Sequence, residues 1–320
     1  MAHHLHLVLG LGLLTATITL AGCSSRTEEA APQAVATAAA PASDTFAFNV
    51  GAYRAHALRD GTVEFPNDNK VFGIGHTPEE VAEVLKSAGL PTDKLQLGLD
   101  PLLVQTADHV LLFDTGAGGN FGDGAGHLDA ALAAAGVAPA SITDIFISHV
   151  HGDHVGGIVN SDGTARFPDA TIHISQPEWD FLKSQSSESA GKLGINNYDA
   201  LMAAMTPHVA PFVPGRQIIP GEVEAIEIRG HTPGHSGYRI TEGQSMLLYI
   251  GDAMHHYAVS VQKPDWPNGF DADQPTAAAS RASLLKEIAP QDMRVYAVHF
   301  PFPGLGKFVQ DEAGFRWLPE

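Results

Sequence analysis

The chain has 320 residues, 44% of them hydrophobic, enough to bury a large core, which excludes a wholly disordered or fibrous protein. Asp and Glu total 36 against 18 Lys and Arg, a formal charge of -18, which argues against a surface that tracks nucleic-acid phosphates and suits a small neutral or apolar ligand better. The one cysteine, Cys23, excludes internal disulfides and thiolate metal sites.

Leu5 to Leu20 is apolar apart from His6 and a few threonines, and it ends in Leu20-Ala21-Gly22-Cys23. This stretch resembles the lipobox of bacterial lipoproteins. It implies removal of residues 1–22 and lipidation of Cys23, although Met1-Ala2-His3-His4 lacks the usual Lys or Arg. The run is short of a full membrane span, so the expected membrane contact is only a lipid anchor, and the expected location is the periplasm or cell envelope. A plain cleaved signal is the next alternative, and an uncleaved membrane helix the last. Residues 23–44 are Ser, Thr, Ala, Glu and Pro without apolar period, the composition of a disordered tether. Residues 45–320 are then one domain.

Within that domain the segment from Phe46 to Phe65 reads as a hairpin, with Tyr53 to Leu58 and Thr62 to Phe65 joined at Arg59-Asp60-Gly61. Pro78 to Ala88 reads as a helix capped by Thr77, with Val81, Val84 and Leu85 on its apolar face. Strands are expected at Leu102 to Gln105 and Val110 to Phe113, then a short helix at His127 to Ala135 that stops at Gly136. Thr143 to Ser148 is a buried strand, Thr171 to Ser175 another, followed by helices at Pro177 to Lys183 and Tyr198 to Met205 with polar Ser184 to Gly191 between them. Strands at Val223 to Ile228, Gly237 to Ile240 and Met246 to Ile250, a helix at Ala277 to Ile288 and a strand at Arg294 to Val298 complete the pattern. Interleaving of this kind fits two sheets flanked by helices, and by itself does not exclude a doubly wound single sheet.

The chemistry concentrates in Ser148-His149-Val150-His151-Gly152-Asp153-His154-Val155-Gly156-Gly157. His149 and His151 are two apart, so in extended backbone both imidazoles point to one side. Gly152 lets the chain turn, which brings Asp153 and His154 to a second point nearby. Three imidazoles and a carboxylate within six residues suit a borderline divalent cation: zinc first, with manganese, cobalt or iron also able to occupy such ligands.

That stretch resembles the HxHxDH signature of the metallo-β-lactamase superfamily, whose fold is an α/β four-layer αββα sandwich of two mixed sheets flanked by helices. The resemblance implies further ligands at His231 in Gly230-His231-Thr232-Pro233-Gly234-His235, at Asp252 in Ile250-Gly251-Asp252, and at His299 in Tyr296-Ala297-Val298-His299. His149, His151 and His231 would then hold one ion and Asp153, His154 and His299 the other, with Asp252 and a nucleophilic hydroxide bridging them. Asp114 in Phe113-Asp114-Thr115-Gly116 is expected to orient a ligand histidine, and His235 to hold its loop by a hydrogen bond.

A bridging Asp252 argues against a β-lactamase, and there is no G-x-S-x-G elbow to suggest a serine hydrolase. No basic cluster near the C-terminus would hold glutathione conjugates. Leu58-Arg59-Asp60-Gly61-Thr62-Val63 and Val298-His299-Phe300-Pro301-Phe302-Pro303-Gly304 resemble the branch that contains methyl parathion hydrolase and related lactone and aryl-ester hydrolases. Three residues after the bridging aspartate, where lactonases of the superfamily have tyrosine, stands His255, able to donate to a leaving group. The reading is hydrolysis of a small neutral or apolar lactone or aryl ester, with Asp252 and His255 at the catalytic position and phosphotriesters as side substrates. A primary phosphotriesterase is the alternative. A surface-tethered binding protein without turnover is the alternative of another class. Expected pocket walls are Phe121, Trp179, Phe181, Tyr198 and Phe270, with Trp266 as a candidate cover. The sequence leaves the oligomeric state open, a homodimer among the options.

Overall fold

The computed structural model describes residues 44–320. The expected signal segment, Cys23 and the tether up to residue 43 lie outside the described residues.

Two seven-stranded sheets lie face to face. In spatial order the first runs Thr45–Val50, Tyr53–Leu58, Leu102–Gln105, Val110–Phe113, Asp144–Phe146, Thr171–Ser175 and Val209–Phe212. Its first four strands pair antiparallel and its last four parallel. The second sheet runs Gln217–Ile219, Val223–Glu227, Ser236–Glu242, Ser245–Tyr249, Val295–Tyr296, Leu305–Asp311 and Gly314–Pro319. All its pairs are antiparallel except that between Ser245–Tyr249 and Val295–Tyr296.

The strands read as apolar runs because both of their faces are covered. Leu111 and Phe113 point into the space between the sheets, where they meet Tyr238, Leu247 and Tyr249 from the other side. Leu112 points the opposite way with Leu103 and Ile145, onto helices Leu128–Ala134, Gln176–Lys183 and Tyr198–Met205. On the far side of the second sheet Leu248, Ile250 and Val295 pack against Leu284, Leu285 and Ile288 of the helix Gln274–Ile288. Each such fully buried large side chain contributes about 1.5–3 kcal/mol. The result is the expected four-layer αββα sandwich.

The helix Pro78–Ser87 forms where its sequence predicts: Thr77 accepts from Glu80 N, Glu80 returns a bond to the Thr77 backbone, and Val81, Val84 and Leu85 are buried. Its apolar face packs on a separate two-stranded ribbon, Gly61–Pro66 with Lys94–Leu99. This ribbon corrects the expected hairpin. Tyr53–Leu58 pairs instead with Thr45–Val50 and Leu102–Gln105, and Arg59-Asp60 is the crossing from sheet to ribbon. Asp60 is buried there with its carboxylate accepting from the N–H groups of Ala117, Gly126 and Leu128, which anchors the crossing to the next loop. Ser184 to Gly191 is also more ordered than expected, since Ser186 and Ser189 cap a short helix, Ser187–Gly191, reciprocally.

Candidate metal centre

Every ligand predicted from the sequence lies just beyond a strand, at one end of the sandwich. The strand Asp144–Phe146 is wholly buried and runs out at Ser148. His151 then starts a single helical turn, Gly152–Val155, which carries Asp153 and His154. The turn sits tightly on its neighbours: a Cβ at Gly157 would collide with the carbonyl of Thr115, and one at Gly152 with the carbonyl of Gly194.

His149 Nε2, His151 Nδ1 and His231 Nε2 form a triangle with sides of 3.0 Å. Asp153, His154 and His299 bring their donor atoms together as a second group. Asp252 stands between the two. Its Oδ2 lies 3.3 Å from His231 Nε2 and 3.7 Å from His149 Nε2, while its Oδ1 lies 3.1 Å from His154 Nε2 and 3.0 Å from His299 Nε2.

The partners of the outer ring nitrogens decide what these contacts are. His154 Nδ1 faces Asp114 Oδ2 at 2.7 Å, His299 Nδ1 the carbonyl of Gly98 at 2.8 Å, and His231 Nδ1 Asp271 Oδ1 at 3.0 Å. A carboxylate and a carbonyl only accept, so each Nδ1 carries a proton, and in the neutral imidazole each Nε2 presents a bare lone pair. His149 follows the same rule: Ser148 Oγ gives its proton to Asp114 at 2.6 Å and accepts from His149 Nδ1 at 3.0 Å. Bare nitrogens therefore face each other and the oxygens of Asp252, acceptor against acceptor. His154 Nε2 and Asp252 Oδ1 are buried with no hydrogen-bond partner. Such a set is stable only around positive charge.

The electrostatics agree. Burial pushes Asp252 up, but the imidazoles of His299, His154, His149 and His255 hold it well below the usual carboxylate range, so it is ionised. Burial disfavours charge on His231, yet Asp252 and Asp271 lift it to about 9, so positive charge at its Nε2, a proton or a metal ion, is favoured. His154 and His299 are raised in the same way, against burial, by Asp252 and Asp153. The position calls for cations, and the donor set fits a pair of divalent ones.

Residues 100–299 match the model of the metallo-beta-lactamase superfamily. The chain belongs to this superfamily. Among solved structures it resembles AidC, a dizinc quorum-quenching lactonase in complex with a homoserine product, at 29% identity and a TM-score of 0.80 over 87% of this chain and 98% of that one. It also resembles the beta lactamase superfamily hydrolase AbOPH, at 26% identity and a TM-score of 0.78 over 88% and 98%. A probable metal-dependent hydrolase from Staphylococcus aureus shares the fold at 20% identity and a TM-score of 0.70 over 85% and 99%. No curated protein matches. These neighbours and the superfamily make the chain a metal-dependent hydrolase.

In this superfamily member several residues that sequence reasoning missed hold the ligands in place. Glu178 is buried and accepts from Val150 N at 2.9 Å, Thr232 Oγ1 at 2.8 Å and Gly234 N at 2.7 Å, so one carboxylate ties both histidine loops together. Asp271, which orients His231, is met in turn by the buried guanidinium of Arg281 at 3.4 Å. His235 lies outside both donor groups; its Nδ1 donates to Ile228 O and its Nε2 accepts from Asp252 N, each at 2.9 Å. Burial keeps it neutral, lowered to about 3. Glu178 follows Pro177 directly, but nothing local marks its partners 28 to 56 positions away.

The donors open into a cavity of about 490 Å³. Its walls include Val63, Phe65 and Leu97 from the ribbon, Leu193, and the expected Phe121 and Phe270; His255 also lines it. Trp179, Phe181 and Tyr198 do not line it, which corrects the expectation for these three. Trp179 is buried under the first sheet with Phe181 and Tyr198 packed against the same core, because the apolar face of each helix turns toward the sheet. Tyr198 Oη donates to Leu182 O at 3.0 Å. Trp266 stacks on His76 at 4.0 Å and is likewise not a wall of the cavity.

Proposed function

We propose that this chain is a binuclear hydrolase of lactones or aryl esters, with phosphotriesters as lesser substrates. One observation carries the choice: His255 lines the cavity with Nε2 3.2 Å from Asp252 Oδ2, where it can donate to an oxygen leaving group. The AidC likeness, to a lactonase with a homoserine product, supports the same class.

The ions would be held by His149, His151 and His231 on one side and by Asp153, His154 and His299 on the other, with Asp252 shared. When bound, they supply Lewis acidity toward a carbonyl oxygen and make water acidic enough to lose its proton near neutral pH. The protein supplies the rest. Asp114, Asp271 and the carbonyl of Gly98 fix the imidazole orientations. Val63, Phe65, Leu97 and Phe270 present an apolar wall to the non-reacting part of the substrate and exclude water around the reacting carbonyl. His255 stabilises the departing oxygen.

The test is a panel: purified protein, loaded with zinc, manganese or cobalt and again after chelation, against a lactone, an aryl ester, a phosphotriester and a thioester. Turnover of lactone or aryl ester that is lost on chelation supports the reading. A preference for the phosphotriester or thioester overturns it, and no turnover of any substrate points to a binding protein. Export with an anchor at Cys23 is a separate proposal, resting on the sequence of residues 1–23 alone. Cell fractionation of wild type and Cys23→Ala tests it: wild type in the soluble cytoplasm overturns it.

A further inference from the structure

Four site imidazoles have Nδ1 against an acceptor and Nε2 bare; His255 is built the other way round. Asn268 is buried, and its Oδ1 accepts from Phe270 N at 3.0 Å, which fixes the orientation of its amide. Its Nδ2 is thereby turned to His255 Nδ1, 2.8 Å away. An amide NH₂ only donates, so His255 Nδ1 accepts, and a neutral imidazole must then carry its proton on Nε2. That Nε2 lies 3.2 Å from Asp252 Oδ2 without an aligned hydrogen bond, so its proton faces the oxygen side of the site.

The distances alone would let His255 be a ligand, since its donor atom clusters with those of His231 and Asp271. We infer that Asn268 is a positioning residue which locks His255 as an Nε2–H donor and so keeps it out of the metal-ligand set. A protonated nitrogen has no lone pair for a cation, but it has a proton for a leaving oxygen. The assignment rests on the donor role proposed for His255, yet the tautomer itself can be read without any substrate.

The experiment uses the full zinc-loaded and cobalt-loaded protein. Long-range ¹H–¹⁵N correlation on ¹⁵N-histidine-labelled zinc protein, with His255→Leu to identify the signal, should show His255 protonated on Nε2. Asn268→Asp puts an acceptor against Nδ1. It should move the proton to Nδ1, alter the visible absorption of the cobalt protein as an extra nitrogen ligates, and lower lactone kcat roughly tenfold or more with a smaller change in KM. Asn268→Leu, which offers neither donor nor acceptor, should give mixed tautomers and serves if the aspartate variant does not fold. A wild-type His255 protonated on Nδ1, or a tautomer and cobalt spectrum unchanged in both variants, overturns the inference. An Nε2-protonated His255 in a protein without lactone or aryl-ester turnover would leave the lock standing and remove the proposed function instead.

Discussion

Tyr249, the last residue of a strand in the second sheet, donates its hydroxyl at 2.7 Å to Oδ2 of Asp114, which directly follows the strand Val110–Phe113 of the first. The same oxygen accepts from Ser148 Oγ and from His154 Nδ1. Docking of the sheets and orientation of a ligand imidazole are therefore one event. Tyr249→Phe should cost about 1 kcal/mol of stability, the net value of one hydrogen bond, with folding otherwise intact. Asp114→Asn should weaken metal affinity about 10–100-fold, because Asn cannot accept from every donor that converges there. Chelator competition and denaturant titration read both; equal metal affinity in Asp114→Asn and wild type would contradict the role given to Asp114.

Glu178 holds the first histidine loop through Val150 and the second through Thr232 and Gly234. Glu178→Gln keeps the shape but sets an NH₂ against donors, so a buried donor loses its partner. The expected cost is about 1–3 kcal/mol, with metal binding weakened at His231. If stability and metal affinity are both unchanged, the two loops are held by something else.

His255→Leu should lower lactone or aryl-ester turnover more than phosphotriester turnover, since only the former reading draws on the imidazole proton. Steady-state kcat for both substrates on one preparation gives the ratio. A ratio equal to wild type would remove the ground for preferring esters.

Away from the site, Asp144 accepts from His173 Nε2 at 2.8 Å, His109 Nδ1 at 2.9 Å and Thr143 Oγ1 at 2.7 Å. Burial pushes its carboxyl up, but these bonds outweigh it and hold the group down to about 2. A depressed carboxyl stabilises the fold above its unfolded value and loses that contribution as pH falls toward its folded value. Asp144→Asn should therefore be less stable than wild type by about 1–2 kcal/mol at pH 7, with the gap closing between about pH 4 and 2. A gap that does not depend on pH in that window would contradict the assignment.

The tight turn at His149 to His154 was legible because its ligands are neighbours in the chain, and a buried strand followed by Gly152 leaves them few places to point. The helix at Pro78–Ser87 was legible for a similar reason, since Thr77, Pro78 and Glu80 signal its start within four residues. Lys94–Leu99 alternates apolar residues and was still missed, because its partner residues lie 28 to 38 positions upstream and were paired elsewhere in the hairpin reading.

By itself, then, the sequence determined which short segments carry donors and which faces of its helices are apolar, because spacing along the backbone sets the direction of a side chain. Only the tertiary structure decided what each face is buried against. Trp179 went to the core and Phe270 to the cavity although both are aromatic residues near a turn, and Asn268, Glu178, Asp271 and Tyr249 acquired their roles from partners 13 to 135 positions away. Hydrogen bonds across such distances depend on how strands pair and sheets dock, and no local pattern of residues encodes that.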